Sequence, residues 1–254
     1  MIYFCHIPKT SGSSIEACMR QYDNKIKFHQ NKTSFSELNE SQFRDHLMKR
    51  KDDDVLIGHF ATTPFEMFPD VKGYSIVRSP IDRLLSTFRY SQTANNWKKP
   101  FKEILLSYLT GKQSRYPSIG HDGRPNMQSL FLTQPLEWRK ENKFIASVKH
   151  ADITFSDVLS IIKKNNITLS TMDNRSYILS DMNLELIKNT RYSVIFDSSI
   201  KVNENPFKID VADLICEFYD EIYEANKLDF QLYSYVKAHE AKFARALRPS
   251  DIIR

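Results

Sequence analysis

Three short apolar runs constrain this chain more than anything else in it: MIYFCHI at 1–7, DVLIGHF at 54–60 and GYSIVR at 73–78. Each is too short to cross a membrane, is rich in aromatic and β-branched residues, and carries apolar side chains at successive positions rather than alternate ones. Such runs read as strands buried on both faces, here at 1–6, 54–60 and 73–78. Helical signals separate them. In SIEACMRQY, Ile15, Cys18 and Met19 recur at helical spacing, which predicts a helix over 14–22 with Ser13 and Ser14 in its first turn. An amphipathic helix is predicted over 36–50, and Pro80 opens another, PIDRLLSTFRYSQ, at the position where a missing N–H costs nothing. Buried strands alternating with helices predict a mainly parallel sheet covered on both faces, a three-layer α/β fold.

Further along, helical patterns fall at 100–110, 127–133, 136–149 and 155–165, with a basic Gly/Pro-containing loop at 111–126. A weak strand follows at 167–172, an isolated β-like segment at 191–196, and two helices at 208–226 and 229–247. No repeat or linker interrupts the 254 residues, so a single domain over 1–254 is expected. A composition of 41% hydrophobic and 26% charged residues excludes a disordered chain or a rod. Cys5, Cys18 and Cys216 are too few and too scattered for a disulfide framework or a CxxC metal site, and point to a reduced compartment. The histidines show no ligand spacing and no acidic Mg²⁺ motif is present, so no metal is expected. The net charge of +5 demands no nucleic-acid partner.

Chemistry concentrates where predicted strands end. PKTSGSS at 8–14 joins a strand to a helix, and there Lys9, Gly12, the hydroxyls of Thr10, Ser11, Ser13 and Ser14, and a helix N-terminus converge. Those are the elements that hold a phosphate-like anion. The lysine precedes the glycine and GxxxxGK[ST] is absent, which disfavours a general ATPase or GTPase. Taken alone, the loop reads equally as a hydroxyl-rich helix cap. In YSIVRSPIDRLLSTFRY at 74–90, Arg78 ends a strand and Ser86 lies two turns into the next helix, so a guanidinium and a hydroxyl can meet one anion. Arg83 and Arg89 occupy positions that could equally face solvent.

Together these motifs resemble a known family. HIPKTSGSS at 6–14 is similar to the 5′-phosphosulfate-binding motif of sulfotransferases that use 3′-phosphoadenosine 5′-phosphosulfate (PAPS), and SIVRSPIDRLLSTFRY is similar to their 3′-phosphate-binding motif. The resemblance extends to IGH at 57–59, NMQ at 126–128 and NKLDFQLYSYV at 226–236, and leans toward the carbohydrate branch that includes the glycosaminoglycan 2-O-sulfotransferases, as a bacterial member. It implies the P-loop NTPase-like sulfotransferase fold. It also implies that Lys9 contacts the phosphosulfate and assists departure of adenosine 3′,5′-bisphosphate, and that Thr10, Ser11, Gly12, Ser13 and Ser14 cradle the 5′-phosphate. It implies further that Arg78 and Ser86 hold the 3′-phosphate and that His59 is the base for the acceptor hydroxyl, with Glu16 a weaker alternative. The family often has glycine where Ser11 stands, a departure that matters only if that backbone needs a positive φ.

Arg115, His121, Arg124 and Asn126 are the expected acceptor-side residues, suited to an anionic glycan, with Trp97 or Tyr116 as a stacking surface. No membrane-spanning segment is expected, and a bacterial cytoplasmic setting follows unless the chain is a fragment of a longer, Golgi-lumenal one. The competing readings are a nucleotide or adenosine-phosphosulfate kinase on a related scaffold, and a non-catalytic glycan-binding protein.

Overall fold

The computed structural model describes residues 1–22, 25–30, 39–94, 100–110, 125–137, 147–148, 152–190 and 211–243. Five strands form one sheet: β1 (Ile2–Cys5), β2 (Phe28–Gln30), β3 (Val55–Gly58), β4 (Lys72–Val77) and β7 (Ile167–Thr171), in the order β2-β3-β1-β4-β7. Every pairing is parallel. The register sets Ile2 of β1 against Val55 on one side and Lys72 on the other, so β1 is central and three neighbouring strands end along one edge.

Burial on both faces follows from the sequence of β1. Ile2 and Phe4 point to one side, where they meet Ile15 and Met19 of α1 (Gly12–Arg20) and Ile178, Leu179, Met182 and Leu186 of α8 (Arg175–Thr190). Tyr3 and Cys5 point to the other, where α2 (Glu40–Met48), α6 (Met127–Thr133), α7 (Phe155–Lys164) and α11 (Lys227–Phe243) close the core. Alternate residues of one strand thus anchor two helical layers, and the three-layer α/β fold with a parallel sheet is as expected. Two side-chain hydroxyls in the sheet are bonded to its surroundings: Ser75 Oγ donates to the Cys5 carbonyl across β4 and β1 at 2.7 Å, and the Tyr74 hydroxyl donates to Asp181 of α8 at 3.0 Å. A third apolar cluster joins α4 (Pro80–Ala94), α5 (Phe101–Leu109) and α10 (Tyr219–Ala225) through Leu84, Phe88, Leu105 and Ile222.

Several expectations need correction. Where a helix is expected over 136–149, the described residues form two two-residue strands, β5 (Leu136–Glu137) and β6 (Ser147–Val148), paired antiparallel. Pro135 explains the start: it holds the preceding Gln134 extended, at φ −115° and ψ 142°, so the chain leaves α6 already in β conformation. β2, the short α3 (Thr63–Met67) and α8 are additions to the predicted set. The C-terminal region holds three helices rather than two: α9 (Ala212–Glu217), α10 and α11 are divided at Phe218 and Asn226, both with φ near −114°. The segment 191–196 lies outside the described residues. All three cysteines are free, and among the described residues no helix is long and apolar enough to cross a membrane.

One buried carboxylate binds the C-terminal helix to this frame. Asp229, wholly buried in the first turn of α11, accepts from the backbone N–H of Gln128 (3.1 Å) and of Ser129 (2.8 Å), and from Ser129 Oγ (2.8 Å). It thereby caps α6. In return Asn126, just before α6, offers Oδ1 to the N–H groups of Leu228 (2.9 Å) and Asp229 (3.3 Å), capping α11. Burial raises the Asp229 pKa, opposed by the nearby Arg83 cation and by these amides. Replacing Asp229 by Ala removes the cap and leaves Arg83 without its buried counter-charge. The expected cost is on the order of 3 kcal/mol, read as a lowered urea midpoint; an unchanged midpoint would show that the seam is not structural.

Candidate active site

The loop after β1 is the centre of the site. Left-handed backbone at Lys9 (φ 68°) and Ser11 (φ 79°) turns the chain sharply from strand to helix. The Thr10 hydroxyl, fully buried, closes the turn by donating to the Ile7 carbonyl at 2.8 Å. Ser11 therefore does need a positive φ, where the family often has glycine, and this chain keeps a conformation that costs a non-glycine residue about 1 kcal/mol. Gly12 is required for a different reason: a Cβ there would lie 1.9 Å from the His6 ring. Ser11 and Ser13 are partly exposed while Ser14 is buried, and α1 begins at Gly12, with the Ser14 N–H taken by the Ser11 carbonyl at 3.0 Å.

Two neighbouring strand ends fasten onto the carbonyls of this loop. His59, the first residue after β3, is exposed, and its Nδ1 lies 2.5 Å from the His6 carbonyl oxygen. A carbonyl can only accept, so Nδ1 carries the proton and a neutral His59 presents its Nε2 lone pair outward. The His59 ring also lies against the His6 ring, tilted by 34° with centroids 4.2 Å apart, and meets Phe131 edge-on at 6.4 Å. Arg78, the first residue after β4, donates from Nη1 to the Lys9 carbonyl at 3.3 Å. Residues 6, 9, 59 and 78 thus form one group.

Around Arg78 the positive charge is dense. Burial lowers its pKa; Arg89 and Arg83 push the same way, and Asp82 and Asp173 oppose them. Arg83 is only 1% exposed, which corrects the expectation that it could equally face solvent: it lies inside, beside Asp229 and Tyr108. Ser86 is half-buried on α4, in the second turn beyond Arg78. The Lys9 ammonium sits over the Tyr90 ring, 4.1 Å from its centroid. Tyr90 lies within the second motif but has no sequence signal of its own. Glu16, the alternative base, pairs instead with Arg20 at 2.7 Å along α1. Asn126 spends its carboxamide oxygen on the α11 amides. Arg115, His121, Arg124, Trp97 and Tyr116 lie outside the described residues.

What fold and site together define is an α/β protein in which a left-handed strand-to-helix turn, a cluster of arginines and a strand-end histidine stand together at the carboxyl edge of a parallel sheet. The model of the sulfotransferase family matches residues 1–236, and the chain belongs to that family. A sulfotransferase from Alicyclobacillus acidocaldarius of known structure aligns with a TM-score of 0.50 at 12% identity, covering 91% of this chain and 95% of that one, a likeness of fold. No curated protein sequence matches. The chain is therefore an enzyme of sulfuryl transfer.

His6 supplies a test of this geometry. Burial lowers its pKa well below the ordinary histidine range, with His59 and Lys9 adding to the effect. The unfolded chain takes up a proton at His6 as pH falls through about 6.5, while the folded protein refuses it; stability is thus retained above that pH and lost below it, by up to roughly 1 kcal/mol per pH unit. His46, lowered chiefly by burial, adds a smaller dependence of the same sign. His6→Phe keeps a flat ring over Gly12 and is expected to flatten the loss between pH 7 and 5.5, read from urea midpoints. An unchanged slope would contradict a buried neutral His6.

Proposed function

We propose that this enzyme moves the sulfuryl group of PAPS to a hydroxyl of a carbohydrate, acting as one domain over 1–254, with His59 as base and Lys9 at the leaving group. The observation that carries the reading is the fastening of Arg78 and His59 onto the carbonyls of Lys9 and His6, which gathers two anion sites and a base at one strand edge. PAPS supplies an activated sulfuryl group between a 5′-phosphate and the acceptor. The N-terminal amides of α1 with Ser11 and Ser13 suit the 5′ end, and Arg78 with Ser86 suits the 3′-phosphate.

His59 Nε2, set outward by the bond at Nδ1, takes the proton of the acceptor hydroxyl. The Lys9 ammonium lies against charge that develops on the departing phosphate. Arg115, His121 and Arg124 are the proposed acceptor-side cations. Asn126 serves that side by fixing the start of α6. The 2-O-type carbohydrate branch rests on the strand-end histidine in IGH and on the NMQ and NKLD segments, which meet in the α6–α11 seam.

Transfer from labelled PAPS to a panel of uronic-acid-bearing glycans tests the proposal. His59→Ala is expected to lower turnover about 100-fold or more with donor affinity nearly intact, and Lys9→Ala to lower turnover as well. Full activity in Lys9→Ala, or metal-dependent ATP turnover in place of sulfuryl transfer, would contradict it.

A further inference from the structure

Gln128 makes a pair of hydrogen bonds that burial and packing do not require. Its Oε1 accepts from the backbone N–H of Arg78 at 2.8 Å, and its Nε2 donates to the backbone carbonyl of the same residue at 2.9 Å. A primary carboxamide has one donor face and one acceptor face, and here both are spent on a single residue, as a neighbouring strand would spend them. The place is where β4 has run out of strand partners: the β4–β7 ladder ends at Val77 opposite Thr171, one residue before Arg78. Gln128 thus extends the pairing of β4 by one residue, up to the guanidinium that leaves it.

Gln128 is held firmly in turn. Its side chain is wholly buried, and its own N–H is bonded to Asp229, whose other oxygen takes Ser129. Asn126 ties the same turn to α11, and Asn126 N–H donates to Asn226 Oδ1, which also accepts from the Tyr108 hydroxyl. A continuous set of bonds therefore runs from the α10–α11 junction, through the first turn of α6, to the main chain of Arg78.

We infer that Gln128 is a positioning residue for the 3′-phosphate site: by clamping both main-chain groups of Arg78 it aims the guanidinium across the Lys9 carbonyl, and so sets selectivity for a 3′-phosphorylated nucleotide. The inference rests on the proposed role of Arg78. Being buried, Gln128 acts on the ligand through Arg78 alone. A different residue with the same volume would keep α6 in place and lose the clamp.

The experiment is calorimetric titration with adenosine 3′,5′-bisphosphate and with AMP, on the full chain and on Arg78→Ala, Gln128→Met and Gln128→Asn. Met matches the volume without either bond. Asn keeps a polar amide one methylene too short to reach both groups, and serves if the Met variant does not unfold cooperatively. The expected result is a bisphosphate preference in the parent protein that falls about tenfold or more in Arg78→Ala and about fivefold in the Gln128 variants, with AMP affinity unchanged. If the Gln128 variants keep the preference while Arg78→Ala loses it, or if they weaken both ligands in parallel, the positioning role is overturned. If the parent protein shows no preference, or Arg78→Ala keeps it, the donor-site reading itself fails.

Discussion

The site depends on β1 being hydrogen-bonded on both sides to parallel strands. With β3 on one flank and β4 on the other, in registers that start from Ile2, the three loops that leave Cys5, Gly58 and Val77 must emerge side by side. Parallel pairing also needs long crossovers, and these are the helices that cover both faces. The same arrangement that buries Ile2 and Phe4 on one side and Tyr3 and Cys5 on the other thereby brings residues far apart in sequence to a common edge.

Proximity alone does not make a site. The loop after β1 adopts two left-handed residues, and its carbonyls at His6 and Lys9 meet the flanking strand ends. One carbonyl orders His59 into a single tautomer; the other takes the guanidinium of Arg78. His59, Lys9 and Arg78, the proposed base, leaving-group cation and phosphate ligand, are positioned through the backbone of one short turn. The lysine that belongs to that turn rests on an aromatic face, Tyr90, from the same helix that carries Ser86.

Much of this was legible in the sequence because the relevant signals are local. Short apolar runs mark buried strands, a hydroxyl-rich turn marks the start of α1, and Pro80 marks another helix start; all these elements lie where the chain suggests. What was not legible depends on contacts between distant segments. The role of NMQ with NKLD is reciprocal capping between two helices a hundred residues apart, and a sequence shows only that Asn, Gln and Asp are present. Arg83 looks like a surface arginine until Asp229 is brought beside it. The β5–β6 pair is not legible because the apolar spacing around it also fits a helix, and the extended geometry imposed by Pro135 decides the start of β5. α8 carries Ile178, Leu179, Met182 and Leu186 at helical spacing, the local signal that the sequence offers for this helix. The cost of Ser11 is visible only once its φ is known.

The most direct test of the account is a crystal structure of the protein with adenosine 3′,5′-bisphosphate. The account places the 5′-phosphate over the amides at the start of α1 with Lys9 beside it, and the 3′-phosphate against Arg78 and Ser86, with His59 facing the open side of the 5′ group. A nucleotide bound away from the turn at 8–14, or bound there with its 3′-phosphate in solvent and Arg78 unengaged, would contradict it.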